Sequence, residues 1–566
     1  MPAPRRDQAL LPRPTRVSLR SGHFTFDATT ALHATPGAEA AADLLRDLLG
    51  PATGLPLPPS PSGTVTLAVD AGLRGLGREG YGLTVSPHSV LLRAAHPTGL
   101  LRGVQTLRQL LPEEALVPVT GGRPGPATEG GRQGGRAGGR EGGREGGRER
   151  ERGRVRAHPA RWDLPCTEIT DVPHRPWRGL MIDVARHFHP VDTLRRHVDL
   201  LALHKLNVLH LHLTDDQGWR MPVAAYPRLT TVGAHRAGPD TAAPPGAPGT
   251  PRRGPVPHAG AYTRADLTGL VEYAARRGVT VVPEIEMPGH VRAALAAYPH
   301  LGNRPDRVLD VWTRWGVCDT VLGVHDAVLD FVRAVLDEVM DVFPSPYVHL
   351  GGDECPTTEW QHSPTARARI VAEGLSGPAD LHGWLLGRAG AHLRERGRHP
   401  VAWAETGTVL PPGFTAMSWR ATAHAAEALA RGHDVVLTHH RTTYLDYAQD
   451  DEPGGPPVQP GPVVDLRTVH RGDPDPRTSA PGAGRVLGTQ AQLWTEFAPT
   501  AADLDRLAYP RLCALADRAW SGPTPWPDFT RRLTAHTRRL DALGVRRHPT
   551  PAAPCEATAA RTAPSP

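Results

Sequence analysis

The chain has 566 residues, of which 39% are hydrophobic and 22% are charged, and its formal net charge is +6. This apolar content supports a sizeable core and excludes wholesale disorder. Ten Arg and five acidic residues between positions 121 and 156 account for +5 of the charge, so the rest of the chain is close to neutral. Outside that tract, no basic face with interleaved aromatic residues indicates nucleic-acid binding.

The cysteines and the N-terminus favour an ordinary intracellular protein. Five cysteines, at positions 166, 318, 355, 513 and 555, contain no CxxC pair and are odd in number, so neither a disulfide framework nor a zinc cluster is indicated. We therefore expect no metal and no cofactor. The N-terminus lacks an apolar signal region, and no apolar run approaches the roughly 18 residues of a membrane span. We expect a cytoplasmic location, with secretion if translation starts elsewhere, and no membrane or nucleic-acid partner; the oligomeric state is not specified.

The first part of the chain predicts a tail, a small domain and a linker. Residues 1–15 are expected to form the tail, and residues 16–118 an α+β domain with an antiparallel sheet. Three segments have strand character: 64–70, 81–85 and 89–94. Apolar spacing from 97 to 111 predicts a helix that Pro112 ends. Residues 119–157 repeat Gly-Gly-Arg-Glu and offer no apolar surface, which predicts a disordered linker; RNA binding is the alternative role.

From 158 to 545, short apolar runs alternate with amphipathic helices, a pattern typical of a parallel α/β fold. Eight segments are candidate strands: 178–184, 208–214, 279–285, 347–350, 400–404, 415–419, 435–438 and 487–494. Helices fit between them, for example at 191–204, 264–277 and 327–342. Eight such units predict a (β/α)8 TIM barrel. Pro/Gly-rich insertions are expected at 237–260 and 449–484, and a disordered tail at 546–566.

Polar and aromatic residues follow the predicted barrel strands, where the active site of a TIM barrel lies. They include Asp183, Arg186, Asp215, Glu286, His290, Asp353, Glu354, Trp403, Glu405, Trp419, Arg420, Tyr444, Asp446, Trp494 and Glu496. Tryptophan faces stack on sugar rings, and carboxylates bind hydroxyls or transfer protons. This combination favours a carbohydrate enzyme.

The adjacent carboxylates Asp353 and Glu354 are the most informative pair. Consecutive strand residues point to opposite faces, so both can reach one site only where the strand ends or bends. Gly351 and Gly352 permit such a bend. A helix N-cap at Asp353 explains the same pair equally well.

The segment His349-Leu-Gly-Gly-Asp-Glu354 resembles the catalytic motif of the family-20 glycoside hydrolases, the β-N-acetylhexosaminidases. Segments 183–188, 210–219, 283–290 and 493–496 resemble other signatures of that family in the same order, and 103–112 resembles the end of its small N-terminal domain. The resemblance implies an exo-acting hydrolase that releases terminal N-acetylglucosamine, and also N-acetylgalactosamine, from partners such as chitooligosaccharides.

The resemblance also implies roles for single residues. Glu354 is the general acid/base, and Asp353 orients the substrate's 2-acetamido group. That group attacks the anomeric carbon and forms an oxazolinium intermediate, so hydrolysis is retaining without an enzyme nucleophile. The implied substrate-binding residues are Arg186, Asp215, His290, Trp384, Trp403, Tyr444, Asp446, Trp494 and Glu496. Among them, the three tryptophans wall the terminal-sugar subsite, Tyr444 binds the acetamido oxygen, and Asp215 and His290 lie behind Glu354.

Physical chemistry supports this division of labour. A general acid that works near neutral pH needs a raised pKa, which tryptophans and neighbouring carboxylates supply. Asp353 is expected to stay ionised, to stabilise positive charge at the acetamido nitrogen. Glu286 stands where the family often has Asp, and residues 447–493 lack a tryptophan that some relatives place there.

Other readings remain open. The nearest are a relative that releases a disaccharide, one that acts on a sulfated sugar, and a non-catalytic sugar-binding descendant. The pair His210 and His212 also suggests a metal-dependent amidohydrolase, although structural histidines are favoured.

Overall fold

The structure is a computed structural model that describes residues 9–117, 161–237, 257–405, 409–451, 455–476 and 480–549. The predicted linker at 119–157 lies outside these residues, as do parts of both predicted insertions and most of the predicted C-terminal tail. Within the described ranges, no helix is both long and apolar enough to cross a bilayer.

The N-terminal domain is built on a six-stranded sheet. Its strands are β1 (Arg16–Phe26), β2 (Leu32–Ala34), β3 (Val65–Val69), β4 (Tyr81–Val85), β5 (Val90–Ala94) and β6 (Trp162–Asp171). Their order is β1-β6-β4-β5-β3-β2. The β1/β6, β6/β4 and β4/β5 pairs are antiparallel, as predicted, whereas β2/β3 and β3/β5 are parallel, so the sheet is mixed. A helix (Glu39–Thr53) connects β2 to β3, and such crossovers permit parallel neighbours.

Two predicted boundaries of this domain need correction. Strand β6 pairs with β1 and β4, although its residues were assigned to the barrel domain. The pairing is non-local in sequence, which a pattern of short runs does not reveal. Leu10 and Leu11 are buried, so at least residues 9–11 of the predicted tail belong to the folded protein.

The predicted TIM barrel is confirmed. Eight parallel strands close in sequence order: β7 (Trp177–Asp183), β8 (Val208–His212), β9 (Thr280–Glu284), β10 (Tyr347–His349), β11 (His399–Ala404), β12 (Thr415–Ser418), β13 (Val435–Leu437) and β14 (Val486–Leu493). Two antiparallel strand pairs lie outside the barrel: Thr214–Asp215 with Gly218–Trp219, and His235–Arg236 with His258–Ala259. All eight predicted barrel strands correspond to observed ones, because each is a short buried apolar run between turn signals.

Helices pack against the barrel and against the N-terminal sheet. The longer ones are α1 (Glu39–Thr53), α2 (Pro97–Leu110), α3 (Val191–Leu203), α4 (Arg264–Ala275), α5 (Asp326–Val342), α6 (Pro364–Glu373), α7 (Asp380–Glu395), α8 (Thr422–Ala430), α9 (Ala501–Ala508), α10 (Arg511–Ser521) and α11 (Trp526–Ala542). Shorter helical segments cover Ala71–Leu76, Glu113–Leu116, Arg228–Thr231, Arg292–Ala297, Pro299–Leu301, Thr358–His362, His440–Thr443 and Leu466–Arg471. Helix α4 begins at a capping box between Thr263 and Asp266, and α2 has Pro97 in its first turn and ends before Pro112.

The chain's one lysine joins the two domains. Lys205, which follows α3 and is 1% exposed, donates hydrogen bonds from Nζ to Asp171 Oδ2 at 2.7 Å and to the hydroxyl of Tyr81 at 2.9 Å. Asp171 also accepts a hydrogen bond from the indole of Trp520. The last residue of β6 is thereby fixed to the barrel by a buried ion pair.

Candidate active site

A cavity of about 290 Å³ opens at the carboxyl ends of the barrel strands. It is lined by Arg186, Gln217, His290, Trp315, Gly316, Val317, Asp353, Glu354, Trp419, Tyr444, Asp446, Tyr447, Gln459, Trp494 and Glu496. Cavities of about 490 and 370 Å³ elsewhere contain neither member of the Asp353–Glu354 pair. The cavity of about 290 Å³ is the candidate site, because carboxyl side chains and aromatic rings converge there.

The turn after β10 brings both carboxylates to this cavity. Gly351 and Gly352 have φ of +63° and +95°, and Glu354 has φ of +45°. A Cβ added at Gly351 would lie 1.8 Å from Glu286 Oε2, so no larger residue fits there without movement. The next helix begins only at Thr358, so the N-cap explanation of Asp353 is wrong.

Asp353 is almost fully buried, with 8% of its surface exposed. Burial raises the pKa of Asp353, the charge of His290 lowers it and the charge of Glu354 raises it, with a net value of about 7. Its Oδ1 atom has no hydrogen-bond partner within the described structure. In the protein alone, the direction of this shift opposes the expectation that Asp353 stays ionised.

Glu354 is held by polar contacts on its backbone and side chain. Its N–H donates to Glu405 Oε1 at 2.8 Å, and its Oε1 accepts from Arg420 Nη2 at 2.8 Å. Its other oxygen, Oε2, lies 3.7 Å from His290 Nε2. The side chain of Glu354 is 27% exposed, so one part of this carboxylate faces the cavity.

Behind Glu354 lies a buried charge network. Burial alone would lower the pKa of His290, but Asp215, 3.2 Å from Nδ1, raises it well above its ordinary value. Burial would raise the pKa of Asp215, yet Arg186 and His290 hold it below its usual range. Asp215 also contacts His212, which bonds Glu284 on its other nitrogen. Asp215 thus supports the site from beneath, whereas His290 lines the cavity.

Three charged side chains occupy another part of the cavity. Arg186 pairs with Asp215 at 2.8 Å and stacks over Trp494 at 5.0 Å. Burial raises the pKa of Glu496, although the charge of Arg186 opposes the rise. Burial, with the charge of Glu496, raises the pKa of Asp446 well above its usual range. Neither carboxylate oxygen of Asp446 has a hydrogen-bond partner within the described structure, although both are buried and the residue lines the cavity.

Aromatic rings form much of the remaining wall. The ring centre of Tyr444 lies 6.1 Å from that of Trp419, and the two ring planes differ by 17°. The ring centre of Trp494 lies 6.3 Å from that of Tyr444. Two predicted wall residues lie elsewhere. Trp403 is 1% exposed and donates its indole N–H to Glu284, beneath the cavity. Trp384 lies on α7, where the guanidinium of Arg369 is 5.0 Å from its ring, and it does not line the cavity.

Several lining residues were given no substrate-binding role from the sequence, although Trp419 was expected at the mouth of the barrel. Trp419 directly follows β12 and lines the cavity. A tryptophan at the end of a barrel strand is better placed to contact the substrate than Trp384, which lies on a helix. Trp315 lies in a long loop after β9 and is 38% exposed, with its indole N–H donated to Gln459. Gln459 belongs to the predicted insertion at 449–484, and no sequence pattern indicated that these two loops meet.

Four buried groups of His, Cys and acidic residues bring possible ligand atoms within 4.8 Å of one another in the described part of the chain. They are His210, Glu284 and His349; His212, Glu284 and Glu286; Asp215, Asp216 and His290; and His204, Cys513 and His536. Within these groups, the side chains contact one another by hydrogen bonds and ion pairs. For example, His210 Nε2 lies 3.1 Å from Glu284 Oε2, and His204 Nε2 lies 2.9 Å from His536 Nε2. We assign no metal to any of them. Burial raises the pKa of the Cys355 thiol to about 12, which disfavours the thiolate that a nucleophile needs.

A TIM barrel with paired carboxylates and tryptophans at its mouth defines a glycoside hydrolase. The family model described as "Glycosyl hydrolase family 20, catalytic domain" matches residues 176–523, and the model for domain 2 of the same family matches residues 7–172. The chain belongs to glycosyl hydrolase family 20, and the resemblance seen in its motifs is confirmed.

Individual relatives agree with this placement. A β-hexosaminidase from Porphyromonas gingivalis is 34% identical over 95% of this chain, which spans 64% of that relative's length. A β-N-acetylhexosaminidase from Cellulomonas fimi is 33% identical, with 96% of this chain and 97% of the relative covered. The solved exo β-N-acetylglucosaminidase from Vibrio harveyi, in complex with N-acetylglucosamine, superposes with a TM-score of 0.78 at 29% identity, covering 96% of this chain and 78% of that one.

Proposed function

We propose that this protein is an exo-acting β-N-acetylhexosaminidase that releases terminal N-acetylglucosamine by retaining, substrate-assisted hydrolysis. The observation that carries the proposal is the Asp353–Glu354 pair in a small cavity that also holds the unpartnered carboxylate of Asp446. A pocket of about 290 Å³ suits one terminal sugar rather than a threaded chain. The activity of the Porphyromonas gingivalis, Cellulomonas fimi and Vibrio harveyi relatives supports the same substrate class.

In this mechanism the 2-acetamido group lies against Asp353. Its N–H donates to the unpartnered Oδ1 atom, and this hydrogen bond lowers the pKa of Asp353 from about 7. Asp353 thus releases its proton to water when the substrate binds, and its carboxylate then stabilises the positive charge that develops on nitrogen. The acetamido oxygen attacks the anomeric carbon, and the bond to the leaving oxygen breaks as Glu354 protonates it. Water, deprotonated by Glu354, then opens the oxazolinium ring with net retention.

The other lining residues fix the sugar. Arg186, Asp446 and Glu496 bind its outer hydroxyls, and Tyr444 donates to the acetamido oxygen. Trp494 and Trp419 pack against the apolar surfaces of the ring and the acetyl group. Trp315, at the exposed rim, is placed to meet whatever the terminal sugar is attached to. N-acetylgalactosamine differs at one hydroxyl, so acceptance of that sugar depends on Asp446 and Glu496.

Hydrolysis of aryl β-glycosides tests this function. We expect rapid release from the N-acetylglucosaminide, slower release from the N-acetylgalactosaminide, and none from the glucoside, which lacks the acetamido group. Glu354→Gln should lower kcat by about 10²–10⁴-fold. Equal rates on the glucoside would overturn substrate assistance. Release only from a substrate with two sugars or a sulfate would favour the related specificities, and binding without release would favour a sugar-binding protein.

A further inference from the structure

Two charged side chains without an assigned role, Glu405 and Arg420, contact Glu354 and each other. Glu405 Oε1 accepts the backbone N–H of Glu354 at 2.8 Å. Arg420 donates from Nη2 to Glu354 Oε1 at 2.8 Å and from Nε to Glu405 Oε2 at 2.6 Å. One carboxylate and one guanidinium therefore connect the backbone and the side chain of the same residue.

The backbone contact stabilises an unfavourable conformation. Glu354 has a left-handed φ of +45°, which a residue with a Cβ adopts only where its surroundings hold it. The side chain of Glu405 is 11% exposed, so its bond to the Glu354 N–H is largely shielded from water. Because Glu405 follows β11 directly, its position is set by the barrel itself.

The side-chain contact distinguishes the two oxygens of Glu354. A guanidinium carries only donors, and the carbonyl-type oxygen of a protonated carboxyl is the better acceptor. While Arg420 donates to Oε1, the proton that Glu354 transfers is therefore favoured on Oε2. Arg420 is itself fixed, because its guanidinium lies 4.2 Å from the centre of the Trp419 ring, a wall of the cavity.

We propose that Glu405 and Arg420 are positioning residues for Glu354: Glu405 holds its left-handed backbone, and Arg420 occupies Oε1 so that Oε2 delivers the proton. This inference rests on the proposed function, in which Glu354 is the general acid. Four charged or titratable groups face Glu354: Arg420, His290, Asp353 and Glu405. Loss of Arg420 removes the positive charge that contacts this carboxylate at 2.8 Å.

Leaving-group dependence tests the role of Glu405. A phenyl β-N-acetylglucosaminide needs protonation of its leaving oxygen, whereas a 2,4-dinitrophenyl glycoside does not. In Glu405→Ala we expect kcat to fall about 10–100-fold on the phenyl substrate and within about threefold on the dinitrophenyl one. Glu405→Gln keeps an acceptor for the Glu354 N–H but turns an amide donor toward Arg420 Nε, so it should recover part of the loss. Equal losses on both substrates would mean a merely structural role and would overturn this part of the proposal.

The pH–rate profile tests Arg420, which is exposed enough to replace without loss of folding. Because a positive charge beside the carboxylate is lost, we expect Arg420→Gln to move the basic limb of kcat toward higher pH and to lower kcat on the phenyl substrate with little change in KM. Arg420→Lys should restore the limb but not the full rate, since ammonium lacks the paired donors. The matched control is Arg431→Gln, which breaks the exposed pair with Glu427 and should change neither quantity.

The outcomes separate the two claims. If the wild type hydrolyses no N-acetylhexosaminide, or if Glu354→Gln keeps full activity, the proposed function fails. If the wild type depends on Glu354 while the Glu405 and Arg420 variants keep the wild-type leaving-group dependence and pH profile, only the positioning proposal fails.

Discussion

Gly351 tests whether the turn that presents the carboxylate pair depends on the absence of a side chain. Gly351→Ala places a Cβ at φ of +63° and 1.8 Å from Glu286 Oε2. The left-handed conformation costs about 1–2 kcal/mol for a residue with a Cβ, and overpacking of a buried site adds about 1–3 kcal/mol. We expect Gly351→Ala to lower the free energy of unfolding by about 2–5 kcal/mol in urea unfolding.

The chain provides a control that separates the two contributions. Gly374 has nearly the same φ, +64°, but a Cβ there would meet nothing within 4 Å, so Gly374→Ala should cost only the conformational part. In a Glu286→Ala background, the side chain that Gly351→Ala would meet is absent, so the overpacking part of its cost should vanish. The double-mutant cycle should then give a coupling free energy of about 1–3 kcal/mol. Equal costs at both glycines, or no coupling to Glu286, would refute this account of the turn.

Three further predictions concern other parts of the molecule. Lys205→Met removes the partner of buried Asp171 and should destabilise the protein by about 3–5 kcal/mol, measured by urea unfolding; a loss below about 1 kcal/mol would show that the pair is dispensable. Because the pKa of Asp353 is raised to about 7 in the folded protein, its contribution to stability is lost as pH rises through 7. Asp353→Asn should therefore raise the melting temperature more at pH 8 than at pH 5, and an equal effect at both would contradict the raised pKa. Trp419→Leu should lower kcat/KM about tenfold or more, whereas Trp384→Leu should leave kcat/KM within about twofold; the reverse ranking would restore Trp384 to the cavity.

Local patterns were sufficient to predict the barrel. The run at 208–214 contains a buried strand because alternate layers of the barrel bury both of its faces, and Gly351 with Gly352 indicated the turn that unites Asp353 and Glu354. Arg186, His290, Tyr444, Asp446, Trp494 and Glu496 line the same cavity, as their positions after strands predicted. These successes share one cause: strand ends in a TIM barrel meet at a single mouth.

Non-local contacts account for the misses. Strand β6 joins β1 and β4 across the long segment after residue 117, so its sequence alone gave no register. The family resemblance implies a wall position for Trp384, but this residue lies on helix α7 and is not among the residues that line the cavity. The raised pKa of Asp353 depends on burial, and the contact between Trp315 and Gln459 joins two loops distant in sequence. None of these follows from spacing.

The most direct test of substrate assistance uses aryl β-glycosides whose N-acetyl group carries zero, one, two or three fluorine atoms. Fluorine withdraws electrons from the acetamido oxygen, so it slows attack on the anomeric carbon without changing the leaving group. The account predicts that kcat/KM falls steadily, by about two orders of magnitude or more across the series, as expected when that attack occurs in the transition state. Rates that stay within about threefold across the series would mean that the acetamido group is not the nucleophile, and that the roles of Asp353 and Glu354 are assigned wrongly.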